Sequence, residues 1–169
     1  TIDDKQSSDF VLGSDTEQCT GGVFGDNEFW QQGNALVEKA FYSGTGAIVI
    51  KIDGMSLKGE HIQKSPNASI RFDYLSAQNI IPLSVKNRQI TEAAFVSDIY
   101  ENGKEYCYLE THELENGQYK ISNRYFSKDN GDLKEVDLPE SVLPVLYTGT
   151  DIPLFAIITP NIVNIHSNS

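Results

Sequence analysis

Polar and apolar side chains alternate with a period of two through the middle of the chain. In one segment Tyr119, Ile121, Asn123 and Tyr125 share one face, while Lys120, Ser122 and Arg124 share the other. In the segment before it Cys107, Leu109 and Thr111 share one face, while Tyr106, Tyr108 and His112 share the other. Because successive side chains of a β-strand point to opposite faces of its sheet, this pattern predicts two strands that each have one buried face.

Three Asn-Gly pairs punctuate the same region at intervals of fourteen residues: Asn102-Gly103, Asn116-Gly117 and Asn130-Gly131. Asn-Gly readily adopts the positive φ angles of the type I′ turn, whose twist matches that of paired strands. The spacing therefore predicts an antiparallel meander with strands of up to about ten residues. The alternative is that three surface loops fall at equal intervals by chance.

A helical pattern precedes these strands. The apolar pairs Phe29/Trp30, Leu36/Val37 and Ala40/Phe41 recur at helical spacing. Asn27 is a suitable N-cap, and Gly44 or Gly46 can end the element. The sequence thus predicts one amphipathic helix over residues 28–42, although Gly33 weakens it.

The remaining segments look like strands. Residues 47–52 are β-branched, Ile70, Phe72 and Tyr74 alternate with charged residues, and Pro82 confines its strand to an edge or a bulge. Residues 90–100 fit either a strand or a helix. Three prolines divide the apolar C-terminal segment into short strands, which are predicted to complete the sheet or cover its edge. We expect a single α+β domain over 1–169 that is mostly β, with an extended lead-in (1–27) and a β-rich part (46–165).

Net charge limits the partners of the chain. Its 169 residues carry a formal charge of −11, with an ordinary hydrophobic content of 39%. Phosphate backbones and anionic membrane surfaces would repel such a chain, so we expect it to bind neither. No stretch is apolar for long enough to span a membrane.

The two cysteines, Cys19 and Cys107, lie 88 positions apart and do not form a metal-binding motif with the three histidines. A Cys19–Cys107 disulfide is the favoured interpretation, and two free buried thiols are the alternative. Closing so long a loop would stabilise the fold by about 4–5 kcal/mol and would place the protein outside a reducing cytosol. The opening TIDDKQSSDF does not resemble a signal peptide, so either the protein is cytosolic or Thr1 follows a removed segment. The disulfide interpretation favours removal, and we therefore expect an extracytoplasmic protein.

Catalytic and metal-binding motifs are absent from the sequence, including the nucleophile elbow, the P-loop and the dinucleotide fingerprint. We therefore expect a protein that is not an enzyme and needs no cofactor. A hydrolase using Glu110 and Glu113, on either side of His112, is the outside alternative, but exposed charges on a strand explain these residues more simply. Asp129 and Asp132 form a weak calcium candidate in a segment that already makes a good hairpin turn.

Aromatic residues make up 10% of the chain. Trp30, Tyr106 and Tyr108 could provide stacking surfaces for sugars or anchors for a protein interface. The alternative is that most of these aromatic side chains fill the core between sheet and helix.

Two segments resemble known proteins. GSDTEQCTGG (13–22) and YKISNRYFSKDNGDLK (119–134) are similar to segments of minor pilins of type IV pili and of the J-type pseudopilin of type II secretion. This resemblance implies a non-enzymatic subunit of a bacterial surface appendage or secretion filament, with other subunits as partners. The apolar anchoring helix of pilins is not in this sequence, so the resemblance further implies that it was removed.

Two other recognition modes stay open at this point. The first is a carbohydrate-binding β-sandwich module that stacks its exposed aromatic side chains on sugar rings, with polysaccharide as its partner. In the second, residues 1–20 pair with the sheet edge of a neighbouring subunit.

Overall fold

The computed structural model describes residues 22–54, 56–58, 61–63, 68–129, 131–139 and 142–160. These residues divide into two compact units. Unit 1 contains the described residues up to Ala77 and again from Phe155, and unit 2 contains those between Gln78 and Leu154. The predicted lead-in (1–27) lies almost entirely outside the described residues, and the single-domain organisation stays a prediction.

Unit 1 is built from two helices and a small antiparallel sheet. Its helices are α1 (Gly22–Asp26) and α2 (Phe29–Ser43), and its main strands are β1 (Gly46–Asp53), β4 (Ser69–Ser76) and β11 (Phe155–Ile158). β1 is the central strand of the order β11-β1-β4. β2 (Ser56–Lys58) and β3 (His61–Gln63) pair separately with each other.

Helix α2 packs on this sheet through small and branched side chains. Leu36 and Ala40, four residues apart, are buried. A Cβ atom placed on Gly46 would lie 2.9 Å from Leu36 Cδ1, so the absence of a side chain at the start of β1 allows the helix to approach closely. Gly44 ends the helix in the left-handed region (φ 90°) and donates its N–H to the Ala40 carbonyl.

Unit 2 is a large antiparallel sheet with very long strands. Its strands are β5 (Ile80–Lys86), β6 (Gln89–Glu101), β7 (Lys104–Glu115), β8 (Gln118–Asp129), β9 (Asp132–Val136) and β10 (Val145–Tyr147). The order is β10-β8-β7-β6-β5, and β9 also pairs with β8. A 3₁₀ turn, Ala77–Asn79, precedes β5.

The predicted meander is confirmed. β6, β7, β8 and β9 follow one another as antiparallel neighbours. Asn102 and Gly103 both have positive φ angles, as do Asn116 and Gly117, which the type I′ turn requires. Asn87 and Arg88 make a further turn of this kind that the sequence did not reveal. Residues 90–100 are strand.

β9 and β10 pair with the same edge of β8, at different positions along it. Leu133 lies opposite Lys128, and Leu146 lies opposite Ile121. Asn123, between these two regions, donates its backbone N–H to the Pro144 carbonyl and its side-chain amide to the Leu143 carbonyl. The side chain of Asn123 therefore holds the segment that joins β9 to β10.

The unit 2 sheet has an inner face with most of its buried residues and an outer face with its ion pairs. The inner face carries Ala93 and Phe95 from β6, Tyr108, Glu110 and His112 from β7, and Tyr119, Ile121 and Tyr125 from β8. Burial raises the pKa of both Tyr119 and Tyr125. The outer face carries Lys128 beside Asp98, Arg124 beside Glu135, and Lys120 beside Glu115.

The mostly-β α+β class with antiparallel pairing is confirmed. Pro82 lies on β5, an edge strand, as predicted. The helical part differs from the prediction, because residues 22–43 form two helices rather than one amphipathic helix over 28–42. Asn27 does not cap α2. Glu28 precedes the helix, and the Asn27 side chain bonds to β4 instead.

Candidate interaction surface

A stripe of large apolar side chains is exposed along α2. Trp30, Val37 and Phe41 are 51%, 39% and 61% exposed. At 100° per residue these positions lie within about 40° of one another on the helix, and Trp30 and Phe41 are about 16 Å apart along its axis. They lie roughly 100° away from the buried residues Leu36 and Ala40. We call Trp30, Val37 and Phe41 the α2 stripe.

The first residue of the stripe is held by a cluster of aromatic rings. The Trp30 ring lies 5.3 Å from that of Phe29, nearly perpendicular to it, and 6.3 Å from that of Phe24. Phe29 and Phe24 in turn contact Phe72 of β4, with ring centroids 5.8 Å and 6.2 Å apart. Edge-to-face contacts at these distances are favourable, so Trp30 is oriented by its neighbours although half of it is exposed.

The junction between α1 and α2 is fixed to the edge of β4. The Asn27 side chain donates to the Ile70 carbonyl (2.8 Å) and accepts from the Phe72 N–H (2.7 Å), as a neighbouring strand would. The Tyr74 hydroxyl donates to the Asn27 carbonyl at 3.2 Å. Burial and the charge of Glu28 raise the pKa of Tyr74, which keeps that hydroxyl protonated. The start of α2 is therefore anchored, and the α2 stripe is a rigid surface.

One acidic side chain, that of Glu38, lies beside the α2 stripe on the helix. Asp26, Glu28 and Glu38 are exposed, and Lys39 is the one basic residue of residues 22–43. On the helix, Glu38 lies next to Val37 and Phe41, whereas Lys39 lies on the opposite side. Glu28 also lies on that opposite side, because its carboxylate accepts a hydrogen bond from Gln32 Nε2.

A second exposed apolar surface lies on the edge strand of unit 2. Ile81, Leu83 and Val85 of β5 are 45%, 47% and 61% exposed. Register shifts on both sides of Ser84 distort the pairing of β5 with β6, and Pro82 is also exposed. We call Ile81, Leu83 and Val85 the β5 stripe.

The three predicted binding aromatics belong to different units. Trp30 belongs to unit 1, whereas Tyr106 and Tyr108 lie two residues apart on the inner face of unit 2. The Tyr106 ring stacks on Tyr125 at 4.9 Å. The Tyr108 hydroxyl lies 2.7 Å from Asn123 Oδ1 and 3.2 Å from Glu110 Oε2. Both tyrosines are half-buried, and Trp30 has the largest exposed area of the three.

The carboxylates on either side of His112 are separated by the sheet. Glu110 is on the inner face, where its Oε1 lies 2.8 Å from His112 Nε2, and both side chains are buried. Glu113 is exposed on the outer face, opposite Lys120. Glu110 and Glu113 therefore do not face one cleft. The prediction that exposed charge explains these residues holds for Glu113 and is wrong for Glu110.

Cys107 is buried on the outer face, and no disulfide is seen within the described part of the chain. In the cross-strand register it lies between Asp98 and Phe126. Burial raises the pKa of its thiol, Lys128 opposes that shift and Asp98 adds to it. Cys19 lies outside the described residues, so the Cys19–Cys107 disulfide stays a prediction.

Asp129 and Asp132 face each other across the β8–β9 hairpin, as the turn interpretation requires. Within the described ranges, no three or more His, Cys, Asp or Glu side chains are grouped so that they could hold a metal ion. Asn130 of the same hairpin lies outside those ranges. The calcium candidate gains no support from the geometry.

The sequence predicted a binding role for Trp30, but for none of the other five residues of the two stripes. The signal in α2 was the adjacent pairs Phe29/Trp30, Leu36/Val37 and Ala40/Phe41, which cover a wider arc than one sheet can bury. The signal in β5 was an apolar run around a proline, where edge strands are found.

Searches against models of protein families, curated proteins and solved structures found no match for this chain. Neither helix of the described part is long and apolar enough to cross a membrane.

Proposed function

We propose that this protein is a non-enzymatic, extracytoplasmic recognition domain that acts by assembling with other protein subunits. Its most specific form is a pilin-like subunit of a bacterial surface appendage or secretion filament. One observation carries the proposal: the α2 stripe is a rigid, exposed row of large apolar side chains. Contiguous exposed apolar surface of this kind marks protein interfaces more often than single exposed residues do.

The chemistry of the stripe favours a protein partner. Trp and Phe are enriched in protein interfaces, and Trp is enriched among the residues that dominate interface energies. Glu38, beside Phe41 on the helix, suits a partner surface with positive charge next to an apolar centre. Neither feature depends on a bound ligand or a reacting group.

The test is self-association of the full chain, measured by sedimentation velocity from micromolar to millimolar concentration. Phe41→Glu places a charge on the most exposed residue of the α2 stripe, and we expect it to weaken self-association at least about tenfold. Tyr42→Glu is the matched control, because Tyr42 is 95% exposed and lies about 100° further around the helix. The control is expected to associate like the wild type. Equal association of all three proteins would contradict the proposal.

A carbohydrate-binding module is the second candidate, and the half-exposed Trp30 favours it. Immobilised polysaccharides distinguish the two candidates. One outcome is a wild-type chain that stays monomeric at all concentrations and binds polysaccharide, with the binding lost in Trp30→Ala. That result would contradict assembly and support glycan recognition as the function.

A further inference from the structure

Two Asn-Gly pairs of unit 2 stand in almost the same local sequence. Asn102 lies in Glu-Asn-Gly-Lys, and Asn116 lies in Glu-Asn-Gly-Gln. Both asparagines are exposed at the tips of hairpins, with φ angles of 51° and 53°. Neither side chain takes part in a hydrogen bond with the residues that the structure describes. A reaction that depended on the dipeptide alone would therefore treat Asn102 and Asn116 alike.

Asn-Gly is the dipeptide in which asparagine deamidates most readily. The glycine backbone nitrogen attacks the side-chain carbonyl carbon, a C–N bond forms, and the amide nitrogen leaves as ammonia with the proton of the glycine N–H. Water then opens the five-membered succinimide at either of its carbonyl carbons, which yields aspartate or isoaspartate. Glycine favours the attack because it has no Cβ to hinder its nitrogen. The reaction consumes water and nothing else.

The folded turn holds the reacting atoms apart. A type I′ turn keeps its first central residue at ψ near +30°, so the asparagine Cβ lies about 150° from the glycine nitrogen around the Cα–C bond. Ring closure needs these two atoms to be nearly eclipsed. The reaction therefore proceeds from an opened turn, and its rate depends on how often that end of the hairpin opens.

The turn at Asn116 is bonded to a neighbouring segment, residues 148–150. Gln118 Oε1 accepts a hydrogen bond from the Gly149 N–H at 3.2 Å. The buried Tyr119 donates its N–H to the residue 150 carbonyl and accepts from the residue 148 N–H, both at 2.9 Å. These bonds keep this end of the β7–β8 hairpin closed.

The turn at Asn102 is exposed on both of its strands. Residues 100–105 are all exposed, and their side chains form no hydrogen bond or ion pair with other described residues. β5 pairs with β6 between Gln89 and Phe95, so residues 96–101 of β6 have β7 as their paired strand in the described sheet. Hairpin ends with few buried contacts open at low free-energy cost.

We propose that Asn102 is a site of spontaneous deamidation and that the fold protects Asn116 from the same reaction. This inference does not depend on the proposed function. Each event adds a negative charge to a hairpin end that already carries Glu101 and Glu105. Isoaspartate also lengthens the backbone by one atom, which does not fit a two-residue turn. The reaction thus changes the charge and the shape of this end of the unit 2 sheet with time.

The test incubates the full chain in mildly alkaline buffer and follows both asparagines by peptide mapping with tandem mass spectrometry. The readouts are the mass gain from amide to acid and the separate elution of aspartate and isoaspartate peptides. In the folded chain we expect Asn102 to react at least about fivefold faster than Asn116. In concentrated urea both hairpins are unfolded, and we expect the two rates to agree within about twofold.

Lys104→Gln is the matched control, because it gives Asn102 the Glu-Asn-Gly-Gln sequence of Asn116. Its Asn102 is expected to react within about twofold of the wild-type rate, and circular dichroism checks its fold. Equal rates in the folded wild type, or a faster reaction at Asn116, would overturn the inference. A difference that persists in urea or disappears in Lys104→Gln would also overturn it, because local sequence rather than the fold would then set the rates.

Discussion

On the inner face of the unit 2 sheet, Glu110 is 5% exposed and its carboxylate lies within hydrogen-bond distance of His112 and Tyr108. On the outer face of the same strand, Glu113 is exposed to solvent opposite Lys120. The two glutamates are three residues apart, but only the first has lost its contact with water. Removing the partner of a solvent-exposed carboxylate changes the free energy of unfolding little, because water solvates the carboxylate instead. Removing a hydrogen-bond partner of a buried carboxylate costs much more, because no water takes its place.

The same contrast extends across each face. Inner-face polar groups form one connected set, in which Tyr108 links Glu110 to Asn123, and Asn123 links the sheet to Leu143. Outer-face ion pairs join separate partners at the surface, such as Arg124 with Glu135. Buried networks are worth more than the sum of their pairs, while exposed ion pairs are worth little. Stability should therefore respond strongly to inner-face substitutions and weakly to outer-face ones.

The largest effect is expected at Glu110. Glu110→Ala leaves the buried His112 Nε2 and Tyr108 hydroxyl without this acceptor, and we expect it to lower the free energy of unfolding by about 3 kcal/mol. Glu113→Ala is the matched control and should change it by less than about 0.5 kcal/mol. Urea denaturation of both variants measures the difference. Similar losses in the two would contradict the distinction between the faces.

An intermediate effect is expected from the Tyr108 hydroxyl. Tyr108→Phe keeps the ring but removes the group between Asn123 Oδ1 and Glu110 Oε2, and we expect a loss of about 1–2 kcal/mol. Tyr100→Phe removes a hydroxyl from a ring that is 74% exposed, and it should leave stability unchanged. Urea denaturation of both variants measures the change in the free energy of unfolding. A Tyr108→Phe variant as stable as the wild type would show that this hydroxyl does not contribute to the network.

The smallest effect is expected at the Arg124–Glu135 ion pair, although its geometry is bidentate. Arg124 Nε and Nη2 donate to the two Glu135 carboxylate oxygens at 2.8 Å and 2.7 Å. Both side chains are 53% exposed. Arg124→Ala should lower the melting temperature by no more than about 1–2 °C.

The pH dependence of this pair has a definite sign. The hydrogen bond from Arg124 lowers the pKa of Glu135. A carboxylate with a lowered folded-state pKa stabilises the fold above its unfolded pKa, which is about 4.3, and this contribution is lost as the pH falls through the folded-state pKa. Side-chain NMR should show Glu135 titrating below the ordinary glutamate range and returning to it in Arg124→Ala. An unchanged titration would show that the pair does not form in solution.

The elements that could be predicted from the sequence are those fixed by local rules. Asn-Gly sets the turns at 102–103 and 116–117 because both residues tolerate positive φ angles. Period-two alternation set the faces of β7 and β8, and Pro82 placed its strand at an edge. Helical periodicity and Gly44 are also local signals, and they indicated α2, whereas α1 before it was not predicted.

The features that could not be predicted from the sequence depend on contacts between residues that are distant along the chain. Asn27 has the chemistry of an N-cap, but the edge of β4 takes both of its hydrogen-bonding groups. Glu110 looks like any strand carboxylate until the strand register places Phe95 and Asn123 beside it. The pairing of β9 and β10 with one edge of β8 likewise requires knowing that β8 has a free edge there.

The sequence by itself determined the mostly-β architecture, the meander and the acidic surface, because turn chemistry, periodicity and charge act over a few residues or over the chain as a whole. Tertiary structure decided which apolar residues stay exposed. Trp30, Val37 and Phe41 are as apolar as Leu36 and Ala40, but the sheet beneath α2 covers only one side of the helix. Hydrophobicity is a property of each residue, whereas burial is a property of its neighbours in space.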